Sequence, residues 1–365
     1  MPSQDGHAPA DRVKRVHAEW VIGGTAIPPG QATTLELALP ALYTHTPMHM
    51  PVRVVRGRRP GPTLLVSAAL HGDEINGVEI IRRLLAMPLI HRLRGTLMAV
   101  PVVNMLGFLS HSRYLPDRRD LNRSFPGSER GSLAARLAHL FLTELFSKAD
   151  YGIDLHTAAI HRDNLPQVRA NLAVPAVRRM AEAFAAPVIL DSGQRLIEGS
   201  LRKVADDLGV PLIVYEAGEA LRFDEIAIRA GVRGVVGVMR ALAMLPARRS
   251  GRQTQSAIAR QSSWMRAPQS GILRAAKPLG AWVAQEDTLA WISDPFGDSD
   301  APVLARSPGI IVGRANLPLV NEGEALFHLA QVMKSDELEN QLETYHEELA
   351  DAAELADPYS PEASL

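Results

Sequence analysis

An imidazole and a carboxylate stand three residues apart in His71-Gly-Asp-Glu74, directly after the apolar run Thr63–Leu70. A second apolar segment, Tyr151–His156, ends in another histidine, and a third, Pro211–Glu216, ends in a carboxylate. A catalytic zinc site takes three protein ligands and keeps one position for water. His71 and Glu74 fit the close pair of such a set, His156 the distant ligand, and Glu216 the general base. Histidine with glutamate selects a borderline metal such as zinc, one per chain, over calcium or magnesium, which prefer oxygen. The metal lowers the pKa of its bound water to about 7 and polarises a scissile carbonyl. A nearby carboxylate then takes the proton and passes it to a leaving amine. Glu219 is the competing candidate for that base.

The segment His111–Gly127 is polar, cationic and rich in turn residues. Arginine binds carboxylates through paired hydrogen bonds and stabilises a developing oxyanion. Arg113 and Arg123 suit these two roles, and Asn122 can orient an amide or carboxylate. Against this stands the plain reading of both arginines as loop residues in surface pairs. Asp154 either supports His156 from behind or bridges local structure. Asp73 reads as a helix cap. His91, His139 and His328 read as structural or exposed, and His161 as exposed.

These side chains need rigid strand ends to hold them. Thr33–Leu39, Met50–Val55, Thr63–Leu70 and Thr96–Asn104 read as strands, as do 151–156, 187–191 and 210–216. Helical spacing of apolar residues marks 75–87, 131–146, 174–185 and 200–208. Such alternation predicts an α/β fold, a mostly parallel or mixed sheet flanked by helices. Ligands of open parallel sheets bind at the carboxyl ends of the strands, where His71, His156 and Glu216 all fall.

The order of these pieces resembles the succinylglutamate desuccinylase/aspartoacylase family, which is related to the zinc carboxypeptidases. The matching pieces are Leu70–Gly77, Arg113-Tyr114, Asp120–Gly127, Asp154-Leu-His156 and Tyr215-Glu216. The likeness spans roughly residues 50–330 and includes the C-terminal strands. It implies zinc on His71, Glu74 and His156, with Glu216 as base and acid. Arg113 would face the oxyanion, and Asn122 with Arg123 would hold the substrate carboxylate. The stretch from Arg113 to Arg123 is longer here than in the aspartoacylases. A further substrate-selecting arginine is not matched; Arg162 and Arg169 are the candidates. The expected activity is hydrolysis of the amide of a small N-acyl amino acid. A metallocarboxypeptidase acting on short peptides remains the alternative, and a non-enzymatic metal-binding or carrier module is a third.

A smaller all-β domain is expected at 251–333, beyond a catalytic domain at 19–250, with a mobile arm at 1–18 and an acidic tail at 334–365. The character of the chain changes at about 246–262, and the polar stretch Pro246–Ser256 reads as the linker. Lys277, in Ala275-Ala-Lys-Pro278, only superficially resembles the modified lysine of a carrier domain. The tail has ten Asp/Glu and no Lys or Arg within 336–365. Leu338, Leu342, Tyr345 and Leu349 still keep helical spacing, so the tail is either solvated or a helix docked on a partner subunit of a homo-oligomer. With 39 basic and 40 acidic residues, the chain lacks the basic excess of nucleic-acid binders. It has no cysteine and no apolar run long enough for a membrane helix. A soluble cytoplasmic enzyme is the expectation.

Overall fold

The computed structural model describes residues 20–193, 196–247 and 256–332, with isolated positions between 338 and 347. The N-terminal arm and most of the expected linker and acidic tail lie outside these residues. A hairpin of β1 (Val21–Ile22) and β2 (Thr25–Ala26) precedes β3 (Ala32–Leu39), β4 (Met48–Arg56), β5 (Arg59–Ala68), β6 (Arg94–Val100) and β7 (Tyr151–His156). Next come β8 (Arg162–Asn164), β9 (Gln167–Ala170), β10 (Val188–Asp191) and β11 (Leu212–Glu216). The C-terminal strands are β12 (Ala257–Ala259), β13 (Gln261–Arg266), β14 (Gly271–Ala275), β15 (Trp282–Val283) and β16 (Thr288–Ser293). They continue with β17 (Asp300–Leu304), β18 (Gly309–Ala315), β19 (Leu319–Val320) and β20 (Ala325–Gln331). The helices are α1 (Asn76–Ala86), α2 (Met105–Leu109), α3 (Leu133–Glu144), α4 (Pro175–Phe184), α5 (Leu201–Asp207) and α6 (Glu225–Ala241).

Nine strands form one mixed sheet in the order β12-β10-β9-β11-β7-β5-β6-β4-β3. The centre is parallel, with β11, β7, β5 and β6 side by side. Strand β9 enters antiparallel to β11, and β4 antiparallel to β6. Residues 64–68 of β5 are all buried, as an interior strand covered on both faces requires. One face carries α1, α4 and α6, through Ile80, Ile81, Leu84, Met180, Phe184 and Met239. The other carries α3 and α5, through Leu137, Phe141, Leu201 and Val204. Each large aliphatic side chain so buried contributes about 1.5–3 kcal/mol.

Helix α6 escapes the periodicity reading because Gly231, Gly234 and Gly237 depress its helical propensity. The glycines are there for packing. A Cβ on Gly231 would lie 2.3 Å from Ile80, and one on Gly234 2.2 Å from Phe184. The stripe lets α6 sit close against α1 and α4.

The C-terminal region is strand-rich, as expected, and forms two sheets with its own apolar core. Its boundary with the rest is not clean. Strand β12, just past the expected linker, pairs in parallel with β10 as the edge of the main sheet. In return β8 pairs with β18 of a C-terminal sheet. Leu338 and Leu342 of the expected tail are helical, only 3% and 5% exposed, and packed into the C-terminal core of the same chain. Lys277 follows β14 and lies 3.8 Å from Asp287. Among the described residues no helix is long and apolar enough to cross a membrane.

Candidate metal centre

Strands β5, β7 and β11 are parallel neighbours, so their carboxyl ends share one rim. At the end of β5 the chain turns sharply. Ala69 takes φ +48, a left-handed conformation that costs a non-glycine residue about 1–2 kcal/mol. Two backbone bonds hold it there, from Val103 N to Ala68 O and from Asn104 N to Ala69 O, both 3.0 Å. Gly72 lies so close to the α2 backbone that a Cβ would meet Gly107 C at 2.0 Å. This contact fixes the 71–74 loop against the segment that leads to Arg113.

The turn brings His71, Glu74 and His156 together. They are 3%, 2% and 5% exposed, and each offers a donor atom within 4.8 Å of the other two. Glu74 bridges the rings: Oε1 is 2.6 Å from His71 Nδ1, and Oε2 is 2.6 Å from His156 Nδ1. Both Nδ1 atoms thus face the carboxylate, and both Nε2 atoms face away. His156 Nε2 lies 2.8 Å from Asp154 Oδ2, whose Oδ1 accepts from Ser67 Oγ at 2.8 Å. His71 Nε2 lies 3.2 Å from Asp120 Oδ1. A ring held at one nitrogen by a carboxylate, with the other aimed at a shared point, is the usual arrangement of a metal-ligating histidine.

Burial alone would push the Glu74 carboxyl up, but the two imidazoles outweigh it and hold the group well below the usual carboxylate range. Burial likewise opposes charge on His71 and His156. Glu74 with Asp120 in one case, and Asp154 with Glu74 in the other, raise both imidazoles above their ordinary value. The pocket therefore favours positive charge, and its donors, two imidazoles and one carboxylate, fit a divalent metal such as zinc.

Glu216 lies opposite His156 in the strand register, so both side chains rise from the same sheet face. Its Oε2 accepts from Asn164 Nδ2 at 2.9 Å. Its Oε1 forms an ion pair with Arg169 Nε at 2.9 Å, at an angle outside hydrogen-bond geometry. Glu219 is placed elsewhere. It accepts from His161 N and from Asn316 Nδ2 on the C-terminal region. Those bonds tie the rival base candidate into a loop junction.

Arg113 donates to Glu74 Oε1 at 3.2 Å and to Asp120 Oδ2 through Nε and Nη2, at 3.2 and 2.9 Å. It reaches the cluster rather than a surface pair. Asn122 is partly buried and its Oδ1 accepts from Leu201 N, the first residue of α5. Arg123 is exposed and donates to Asn122 O. Of the two arginines left open by sequence, Arg169 holds Glu216, while Arg162 stacks over Trp264 with its guanidinium carbon 5.1 Å from the ring centroid. Asp73 is not a helix cap. The N-cap of α1 is Ile75, without a side-chain bond, and Asp73 is buried with Oδ1 unpartnered. Asp154 contacts both His156 Nε2 and Ser67 Oγ, so both of its readings have a bond in the structure.

Three contributors were not singled out by sequence. Asp120 links His71, Arg113 and the backbone N of Asn122. Its signal was the carboxylate two residues before Asn122. Asn164 lies in a polar stretch without any pattern. Arg202, in the first turn of α5, has no motif around it. Its Nη1 is sealed from solvent, yet no described residue accepts a hydrogen bond from it. Burial, followed by repulsion from Arg169, lowers its pKa, and Arg123 adds to the effect. A cavity of about 100 Å³ adjoins it, lined also by Val174, Val177, Ser192 and Leu212.

The catalytic-domain model of the succinylglutamate desuccinylase/aspartoacylase family matches residues 60–242, half of the chain. The chain belongs to this family. It is 25% identical over 300 residues to the N-alpha-acetyl-L-2,4-diaminobutyric acid deacetylase of Halomonas elongata, covering 78% of this chain and 86% of the relative. A solved succinylglutamate desuccinylase/aspartoacylase from Rhodobacter sphaeroides superposes with TM-score 0.72 at 27% identity, covering 84% of this chain and 96% of the other. The product-bound ectoine utilization protein EutE (DoeB) from Ruegeria pomeroyi gives 0.75 at 25% identity, covering 84% and 98%. The cluster, Glu216 and the arginine loop all lie inside the matched segment. So do Arg169 and Arg202.

Proposed function

We propose that the protein is a zinc-dependent deacylase that hydrolyses the amide of a small N-acyl amino acid. The observation that carries this is the buried His71–Glu74–His156 cluster with Glu216 beside it on the same sheet face. Membership of a family whose relatives include an N-acetyl amino acid deacetylase supports the same reading. A zinc ion held by these three residues would polarise the amide carbonyl and acidify a water.

The chain's own groups supply the rest. Glu216 accepts the proton of the attacking water and returns it to the leaving nitrogen. Arg169 and Asn164 keep its carboxylate turned toward the cluster until then. Arg113, already beside Glu74, places positive charge where the carbonyl oxygen becomes negative. Asn122 and Arg123 take the α-carboxylate of the substrate. Half-buried Arg202, whose covered Nη1 has no hydrogen-bond partner among the described residues, receives a second anionic group of the substrate, since a covered donor left unpaired is costly.

Metal analysis of the purified protein, with hydrolysis assays on acetyl-, succinyl- and formyl-amino acids and on dipeptides, tests this. One zinc per chain and chelator-sensitive cleavage of N-acyl amino acids are expected. Cleavage of dipeptides alone would establish a carboxypeptidase instead. A metal-free protein inactive on the whole panel would remove the proposal.

A further inference from the structure

Asn164 is attached to the body of the protein by its backbone. Its O accepts from Gly218 N at 2.9 Å, and β8 pairs with β18 through Gly313. Its side chain nonetheless has a choice. The terminal torsion of asparagine is broad, so packing decides whether the amide nitrogen or the oxygen faces Glu216. The oxygen would meet the carboxylate with like charge; the nitrogen donates to it.

The strand registers show what makes the choice. His328 of β20 lies opposite Trp264 of β13 and opposite Gly313 of β18, and Gly313 lies opposite Asn164. Directly paired residues of antiparallel strands share a face. Trp264, His328 and Asn164 therefore form one row across the sheet, with a gap where Gly313 has no side chain. A Cβ at 313 would lie 2.8 Å from Asn164 Oδ1 and 3.3 Å from the His328 Cβ. The gap is flanked by the amide oxygen on one side and the His328 Cβ on the other. The imidazole is 4% exposed and stacked flat on Trp264, with centroids 4.7 Å apart and planes 7° apart. Its Nδ1 is covered and has no hydrogen-bond partner. Burial and the nearby Arg169 keep the ring neutral by lowering its pKa to about 3, so it adds no charge beside the Arg169–Glu216 pair.

We propose that His328 is a positioning residue for Glu216: across the Gly313 gap its ring walls the slot that keeps the Asn164 amide turned onto the carboxylate. The C-terminal region thereby completes the catalytic side of the site through a residue that touches neither substrate nor metal. This rests on the assignment of Glu216 as the base, and the test separates the two.

His328→Ala opens the slot. His328→Phe keeps a ring on Trp264 but removes both nitrogens. Gly313→Ala drives a methyl group into Asn164. With kcat normalised to folded, metal-loaded enzyme, His328→Ala and Gly313→Ala are expected to lower kcat about tenfold, part of what a well-placed general base provides, with KM within about twofold. His328→Phe is expected to retain most of the wild-type kcat. Crystal structures of the two impaired variants should show Asn164 Nδ2 moved out of hydrogen-bond range of Glu216.

Wild-type kcat in His328→Ala, or an Asn164–Glu216 bond still at its original length there, overturns the proposal. Equal losses in the Ala and Phe variants with a raised KM also overturn it, because they mark a substrate contact through a ring nitrogen. If the wild-type protein hydrolyses no N-acyl amino acid, the deacylase reading fails on its own. The crystallographic arm still judges His328 in that case.

Discussion

In the His71–Glu74–His156 cluster every donor is held from two sides, whereas Nη1 of Arg202, above the same sheet face, has no hydrogen-bond partner among the described residues. The first region gathers Glu74, Asp120 and Asp154 around two imidazoles. The second gathers Arg169, Arg202 and Arg123 with Glu216 as their nearby carboxylate. Negative charge gathers in one place and positive charge in the other. On the proposed reading the cluster takes a cation and the arginine floor an anion. A substrate with a polarised carbonyl at one end and carboxylates at the other would then span both, with Glu216 at the seam.

The sharpest way to break this comparison is at the seam. Glu216→Gln keeps the size but has one acceptor oxygen instead of two, so it retains only one of the Arg169 and Asn164 contacts, and it cannot carry the proton. It is expected to lower kcat by about 10²–10⁴, the usual contribution of general acid–base catalysis, with zinc content unchanged. Steady-state kinetics with metal analysis checks this, and retention of full kcat would move the base elsewhere. Next in size is the outer support of the cluster. Asp154→Asn leaves the ligands in place but weakens the hold on His156 Nε2, and metal affinity is expected to fall about 10–100-fold in competition with a chromogenic chelator. Unchanged affinity would mean that Asp154 merely bridges Ser67 and the strand.

The arginine floor gives a smaller effect of a different kind. Hydrogen bonds to charged groups contribute about 1.5–3 kcal/mol, so Arg202→Met should raise KM by roughly tenfold or more while kcat changes little. A monoanionic substrate should be hardly affected by the same change. If both substrates suffer alike, Arg202 is structural and the second anionic group binds elsewhere.

This contrast also explains what could be read from the sequence. The His71–Glu74–His156 cluster and Glu216 were legible because a local pair follows a buried strand, and because His156 and Glu216 each close an apolar run. Their chemistry and their neighbours in the chain point the same way. Asn164, Arg202 and His328 carry no such local signal. Arg202 faces the floor only because α5 begins against Asn122 and runs back across the face that Arg169 and Asp154 share. His328 falls in line with Asn164 only because β18 and β20 pair with a bulge before Gly313. Helix α6 was hidden for a related reason: its glycines serve contacts with α1 and α4, not the helix itself. The exchange of β8 and β12 between the two regions likewise depends on pairings more than sixty residues apart.

Asp163 tests the electrostatic side of the comparison. It neighbours Asn164, but it meets carboxylates rather than imidazoles. Burial, reinforced by Asp224, raises its pKa to about 6, and Arg314 only partly opposes this. Its Oδ1 is covered and unpartnered. A folded-state value above the unfolded value of about 3.9 means that folding favours the protonated form. That stability is fully present below about pH 4 and is lost as the pH rises through 6. Asp163→Asn fixes the side chain in a neutral form of the same size. It is therefore expected to raise the denaturant midpoint at pH 7.5, by at most about 3 kcal/mol of stability, and to leave it nearly unchanged at pH 4. Equilibrium unfolding at both pH values measures the difference. A variant less stable than wild type at pH 7.5 would show that the ionised carboxylate has a stabilising partner, and that the acids of this junction are matched like those of the metal cluster.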